Sequence, residues 1–256
     1  MVETMESGTK LAEGKTKVLT SWPGDAALAV MEHRDAITAG DGARRHILPG
    51  KGAWSCTTLD ACFRLLMAAG LPTHYLRRLD ERRSLVHRCA MVPVEVVTRR
   101  LAAGSYLKRH PATAQGHRFD PPVSELFLKD DARHDPLVTA ADLAVLGVAT
   151  PAEAATMAHL ALRAFLVLEA AWATLDVALV DLKIECGRTP DGHLVIADVI
   201  DNDSWRLWPG GQPEAMLDKQ VYRNLSQVTD EALARVAANY ARVAELAAGL
   251  AAPAQL

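Results

Sequence analysis

Residues 178–208 read ALVDLKIECGRTPDGHLVIADVIDNDSWRLW, and the patterning of this stretch decides the fold. Two strands are expected, joined at Arg188-Thr189-Pro190-Asp191-Gly192. Asp-Gly is a strong hairpin signal, and Pro190 helps to set the turn. On the first arm Val180, Leu182 and Ile184 alternate with Asp181, Lys183 and Glu185. On the second, Val195, Ala197 and Val199 alternate with Ile196, Asp198 and Ile200. The turn suggests pairing Glu185 with Ile196 and Lys183 with Asp198. That register puts Val180, Leu182, Ile184, Val195, Ala197 and Val199 on one apolar face, and Asp181, Lys183, Glu185 and Asp198 on the other. Glu185 and Asp198 become diagonal cross-strand neighbours, within reach of one cation. A hard divalent ion such as Mg²⁺ takes oxygen ligands, often one or two carboxylates plus substrate phosphates. An ordinary solvated charged face is the competing reading. Ile196 and Ile200 on the same side argue that this face is covered.

Outward from this hairpin, the chain is long enough, at 256 residues, for one large domain or two lobes around a cleft. Half of the residues are hydrophobic and the net charge is −3, which speaks against a general nucleic-acid or membrane-surface binder. The most apolar run, 157–180, is interrupted by His159, Arg163, Glu169 and Asp176, so no membrane span is expected. The N-terminus has no secretory pattern. Cys56, Cys62, Cys89 and Cys186 are scattered, with no C-x-x-C pair; they read as small core residues of a reducing, cytoplasmic compartment.

The start, KLAEGKTKVLT at 10–20, reads as two short strands around Glu13-Gly14-Lys15, with a third strand at 27–32. That is an antiparallel beginning, not a βαβ unit. Gly14 would let backbone amides approach an anion, and Lys15 and Lys17 would neutralise it; a plain lysine-bearing turn is the alternative. TAGDGARRHILPGKG at 38–52 reads as a substrate loop. Helices are expected at 54–69, 139–146, 150–174 and 230–248, and strands at 73–79, 84–90, 91–101 and 125–129. Arg99, Arg100, Lys108 and Arg109 surround Gly104-Ser105, which suits either a phosphomonoester or a basic surface turn.

Seven pieces occur in order: EGKTK, GDGAR with PGKG, VPVEVVTRRLAAGSYLKR, ELFLKDDARHDP, VDLKIECG, ADVIDNDSWRLWPGG and LDKQVYR. Together they resemble the SAICAR synthetase family, in particular its animal type, although no carboxylase half is present. The resemblance implies an α+β, two-lobed, ATP-grasp-like fold with antiparallel sheets, flanking helices and a central cleft. An ATP-binding lobe would span 1–90, and a lobe with metal and ribotide sites would span 91–256. It implies an ATP- and Mg²⁺-dependent ligase that phosphorylates an azole ribonucleotide carboxylate and couples it to L-aspartate. No nucleic acid or membrane partner is implied, and assembly into a homo-oligomer is left open.

Carried over by position, the resemblance gives Lys15, Lys17 and the Gly14 turn to the ATP phosphates. It gives the strand 89–95, ending at Glu95, to the adenine hinge, and Glu185 and Asp198 to Mg²⁺. Lys183 would stabilise the transferring phosphoryl group, with Lys17 beside it. Arg99, Ser105 and Arg206 would cradle the ribotide phosphate. Lys129, Asp135, Asp203, Asp41 and Arg44 would surround the cleft. One departure stands out. Ala53-Trp54-Ser55-Cys56 follows GKG where the family commonly has an asparagine. That keeps open a paralogue acting on a related azole carboxylate in nucleoside-antibiotic biosynthesis. A non-catalytic nucleotide-binding protein is the reading from another class. A protein kinase is excluded by the lack of H-R-D and D-F-G elements.

Overall fold

The computed structural model describes residues 8–40 and 42–250. Strands β1 (Lys10–Glu13), β2 (Lys17–Trp22) and β3 (Asp25–His33) lead into a small hairpin, β4 (Ala36–Ala39) and β5 (Arg44–Ile47). Helix α1 (Lys51–Ala68) follows, then β6 (Tyr75–Arg78) and β7 (Arg83–His87). The first sheet is antiparallel, in the order β1-β2-β3-β7-β6.

After residue 88 the chain enters a second sheet. Its elements are β8 (Ala90–Leu101), the short α2 (Ser105–Arg109), β9 (Arg118–Leu128), β10 (Leu137–Val138), α3 (Ala140–Val145), α4 (Pro151–Ala173), β11 (Val177–Arg188), β12 (Leu194–Ala197) and β13 (Trp205–Pro209). The order is β10-β9-β8-β11-β12, with β13 also on β11. Helices α5 (Gln220–Arg223) and α6 (Asp230–Ala248) complete the described chain, and α6 packs on α1.

Helix α4 starts where Thr150 and Glu153 form a reciprocal capping box, with Pro151 at the first helical position. Met157, Ala161, Ala164, Phe165, Leu168 and Trp172 are buried at helical spacing. They pack against Val94 and Val96 of β8 and Leu182 and Ile184 of β11 in one core. By length and composition α4 could cross a membrane, contrary to the expectation from its interrupting charges. Half of its most apolar stretch is buried against the sheet, as befits a core helix.

The hairpin at 178–208 forms, but in a different register. Glu185 pairs with Ala197 and Cys186 with Ile196. Three residues, Pro190-Asp191-Gly192, span the turn between Thr189 and His193, which bond through Thr189 N–H to the His193 carbonyl at 2.9 Å. Gly192 takes φ 87, where glycine carries no Cβ penalty. The shift sends Ile196 and Cys186 into the core and leaves small Ala197 opposite Glu185. A bulge between Leu179 and Asp181 moves Val180 off the main apolar face, to pack with Ala103 and Trp208.

Asp218 illustrates how the chain after β13 is tied down. Its buried carboxyl accepts the Leu207 N–H at 3.0 Å and the Gln220 N–H at 2.8 Å. Burial dominates and pushes its pKa up to about 6 from 3.8. The folded state therefore holds this proton more tightly than the unfolded chain. The group's contribution to stability is complete below pH 3.8 and is lost as pH rises through about 6, by roughly 3 kcal/mol. Asp218→Asn should remove that slope, so urea unfolding at pH 4 and pH 7 should differ less in the variant than in the parent. Equal pH dependence in the two proteins would contradict this reading.

Candidate active site

Strand alternation gives the second sheet two unlike faces. Val94, Val96 and Thr98 of β8 are buried on the α4 side, and Arg100 there pairs with Glu169 of α4 at 2.6 Å. Arg100 thus lies behind the sheet, away from the cleft. Glu95, Val97 and Arg99 point the other way, across from Glu185, Lys183 and Asp181 of β11. Glu95 and Glu185 are directly opposed, an arrangement that repels unless a cation intervenes. Lys183 supplies it, with Nζ 2.9 Å from both Glu95 Oε1 and Glu185 Oε1. Lys129 donates to Glu185 Oε2 at 2.6 Å.

Asp198 does not lie in the ladder with Glu185, as the expected register required. It follows the last residue of β12 at φ 65, a left-handed bend, and its carboxylate pairs with Lys17 of β2. The two carboxylates are thus brought to one charged cluster by a turn, not by cross-strand pairing. Three lysines and three carboxylates from both sheets meet there. Burial opposes ionisation of Glu185, yet Lys183 and Lys129 outweigh it and hold its pKa at about 2. Burial also works against the charge on Lys183, but Glu185 and Glu95 reverse the balance and raise its pKa. Lys17 is lowered to about 8, chiefly by burial, which Glu185 partly offsets and Lys183 and Lys129 reinforce.

The donor set fits a hard divalent ion such as Mg²⁺: the carboxylates of Glu185 and Asp198, with ammonium groups around them that match phosphate oxygens. Among the described residues no group of three or more His, Cys, Asp or Glu could hold a metal. An ion here would complete its shell with water and phosphate oxygens.

Next to this cluster a cavity of about 630 Å³ is lined by Arg44, Gly104, Ser105, Lys108, Arg206 and Arg223, among others, with no carboxylate in its wall. Arg206 is anchored on buried Asp181, and Ser105 begins α2. Gly104 adopts φ 56 and ψ −126, and a Cβ there would lie 2.1 Å from Arg206 Nη2. Arg99 is 2% exposed and heavily engaged: its guanidinium bonds Glu125 and Asp181, each at 2.7 Å, and donates to Ser105 Oγ at 3.3 Å. Arg99 braces Ser105 and Asp181 and, with Ser105, lines a second cavity on this face. Arg44 is likewise tied, donating to the carbonyls of Tyr222 at 3.2 Å and Leu225 at 3.0 Å. Lys108, read from sequence as part of the basic turn around Gly104-Ser105, enters the wall, as does Arg223, which the sequence reading did not single out. The basic final residue of LDKQVYR was the available signal.

The remaining expected residues scatter more. The Gly14 N–H bonds the Lys17 carbonyl at 2.9 Å, so it is committed to its own turn and not available to an anion. Lys15 sits at the rim, 3.5 Å from Asp131. The Glu95 carboxylate, at the end of the expected hinge strand, lies in the charge cluster, accepting from Lys183 at 2.9 Å. Asp135 accepts the Asp130 N–H at 2.7 Å and lines a neighbouring cavity of about 390 Å³ that shares Ser105 with the first. Asp41 lies outside the described residues. Trp54, half-buried, packs against the cluster of Ile37, Leu48, Tyr222 and Tyr240. Asp203 is held by Lys219 at 3.1 Å, Lys51 at 3.5 Å and the Tyr240 hydroxyl. A further cavity, about 1060 Å³, opens beside α4 on the opposite face of the sheet, where Arg100 and Glu169 satisfy each other.

The SAICAR synthetase family profile matches residues 10–239. The phosphoribosylaminoimidazole-succinocarboxamide synthase of Chloroflexus aggregans is 57% identical over 242 residues, covering 94% of this chain and 96% of that protein. A bifunctional phosphoribosylaminoimidazole carboxylase/succinocarboxamide synthetase of Drosophila melanogaster is 44% identical over 95% of this chain and 58% of its own length. Among solved structures, the synthase from Ehrlichia chaffeensis matches at a TM-score of 0.84 with 28% identity, over 95% of this chain and all of that one. A SAICAR synthetase in complex with ADP matches at 0.83 with 30% identity, over 98% of this chain and all of that one. The fold, the order of the motifs and these likenesses agree: the chain belongs to the SAICAR synthetase family.

Proposed function

We propose that the chain is the ATP-dependent ligase its relatives are named for, joining L-aspartate to the carboxylate of carboxyaminoimidazole ribonucleotide. The observation that carries this is the single cleft face on which Lys17, Lys129, Lys183, Glu95, Glu185 and Asp198 meet beside an anion cavity. The curated relatives over almost the whole chain favour this reading over a paralogue with another azole, and the Trp54 departure is accounted for by packing. Retention of a buried, mutually neutralising charge cluster speaks against a non-catalytic binder.

A carboxylate is a poor acyl donor because oxide is a poor leaving group. Transfer of the ATP γ-phosphoryl to the substrate carboxylate forms an acyl phosphate and ADP. The aspartate amine then attacks the acyl carbon, the C–O bond to phosphate breaks, and the amide forms with loss of the amine's proton. Phosphoryl transfer asks mainly for positioning and charge neutralisation. Lys17, Lys129 and Lys183 provide that charge from three different strands or loops. Glu185 and Asp198 would hold Mg²⁺, which when bound supplies further neutralisation of the phosphates. Ser105, Arg206, Arg223 and Lys108 would receive the ribotide phosphate, with Arg99 and Asp181 fixing the geometry.

The test is ADP release. It should require both the azole ribotide carboxylate and L-aspartate; release without either would contradict the reading. Arg206→Ala should raise KM for the ribotide about 10- to 100-fold, the loss of one charge-assisted contact. Asp181 keeps its partner Arg99 in that variant, so the fold should persist. An unchanged KM would remove Arg206 from the phosphate site.

A further inference from the structure

We propose that Tyr240, on the C-terminal helix α6, is a positioning residue for this reaction: through Asp203 it holds the segment 198–206 that carries both Asp198 and Arg206. The inference rests on the ligase reading for its kinetic consequences, but its structural part stands on contacts alone. Segment 198–206 leaves the sheet where β12 ends and rejoins it at β13. It begins with the proposed ion ligand and ends with the proposed phosphate ligand. Its far end is tied to β11 by the Lys183 N–H donating to the Ser204 carbonyl at 2.7 Å. Its middle is shaped by Asp201, which accepts the Asp203 N–H at 2.9 Å. Asn202 accepts the Trp205 indole N–H at 3.0 Å and donates to the Leu217 carbonyl at 2.9 Å.

Asp201 also faces Ser55 of α1, but Asp203 ties the segment to α6 as well as to α1. One oxygen accepts the Tyr240 hydroxyl; the other faces Lys219 Nζ at 3.1 Å and Lys51 Nζ at 3.5 Å. Lys51, at the start of α1, is 1% exposed, and its ammonium lies 5.1 Å from the Tyr240 ring centroid. Tyr240 thus meets the anion through its hydroxyl and one of the balancing cations through its ring. Burial opposes ionisation of Asp203, but Lys51, Lys219 and the Tyr240 hydroxyl outweigh it and hold it ionised. A buried network of this kind is rigid only while every member is satisfied. Removing the hydroxyl leaves Asp203 Oδ1 short of its donor and frees the segment to drift, with Asp198 and Arg206 on either side of it.

Tyr240→Phe tests this against Val243→Ala, which cuts a buried core contact on the same helix without touching Asp203. Hydrogen exchange over 198–206, read without substrates, should quicken about tenfold or more in Tyr240→Phe and stay within about twofold in Val243→Ala. In the same pair, only Tyr240→Phe should raise both the ribotide KM and the Mg²⁺ concentration for half-maximal activity, by about tenfold each. Val243→Ala should lower Tm at least as much as Tyr240→Phe. Unchanged exchange in Tyr240→Phe, or equal changes in the two variants, would overturn the proposal. Because exchange needs no turnover, a wild-type protein inactive with these substrates would count against the ligase reading alone.

Discussion

Glu185→Gln should lower kcat by about 1,000-fold or more, the scale on which removing charge stabilisation from a transferring group acts. The substitution keeps the shape of the side chain and removes one charge. That charge faces two ammonium groups, Lys183 at 2.9 Å and Lys129 at 2.6 Å, and one proposed metal. Glutamine cannot balance the lysines, so they separate and their aim at the phosphates is lost. Stability should fall too, with a defined pH dependence. The pKa of Glu185 is depressed to about 2 from 4.5, so its contribution is present above pH 4.5 and is lost as pH falls through about 2. The variant should be less stable than the parent at pH 7, by at most roughly 3 kcal/mol, and should approach it near pH 2. ADP release gives the first number and urea unfolding at several pH values the second. A kcat within tenfold of wild type would show that this carboxylate is not at the reacting phosphates.

Gly104→Ala should raise the ribotide KM about 100-fold while leaving the ATP KM within about threefold. Two penalties coincide at this residue. Its backbone, φ 56 and ψ −126, lies in a region that costs other residues roughly 1–3 kcal/mol. The added methyl would also fall 2.1 Å from Arg206 Nη2 and 2.6 Å from its Cζ. A guanidinium can swing aside, but doing so breaks its pairing with Asp181 and vacates the cavity wall. Loss of a positioned charge-assisted donor together with this strain is worth about two powers of ten. Because Lys17 and Lys183 are untouched, nucleotide binding should survive. A ribotide KM raised less than threefold would separate this glycine and Arg206 from the phosphate site.

What was legible in the sequence was mostly local. The alternation along β11 announced its two faces, and Thr150-Pro151 with Glu153 announced the start of α4. Turn geometry was less legible. The signal at Asp191-Gly192 was genuine, but whether two or three residues span it decides which side chains face each other, and one residue of slip exchanges the faces. The bulge at Val180 left no mark in the alternation. The expected strand at 125–129 is the end of β9, which starts at Arg118. Pro121 and Pro122 fall in the irregular stretch of the β8–β9 ladder, between the pairs Arg99–Val123 and Leu101–Arg118, and have no partner in β10, so neither missing N–H breaks a regular pair. Helix α1 begins at Lys51 and not at residue 54, because Gly50 caps it in the left-handed region, φ 93. Lys51, Lys219 and Tyr240 escaped notice because their meeting at Asp203 joins residues 189 positions apart. Arg99 was read from its charge and neighbours, whereas its burial between Glu125 and Asp181 depends on strands that are distant in sequence.

The most direct test of the central claim, that Glu185 and Asp198 together hold the metal that accompanies ATP, is a crystal structure with ADP and Mn²⁺, with the ion located by its anomalous scattering. The account predicts one peak within about 2.5 Å of a carboxylate oxygen of each residue and in contact with the β-phosphate, with Lys17 displaced from Asp198 toward the phosphates. A peak that neither carboxylate touches, with Lys17 still paired to Asp198, would contradict it.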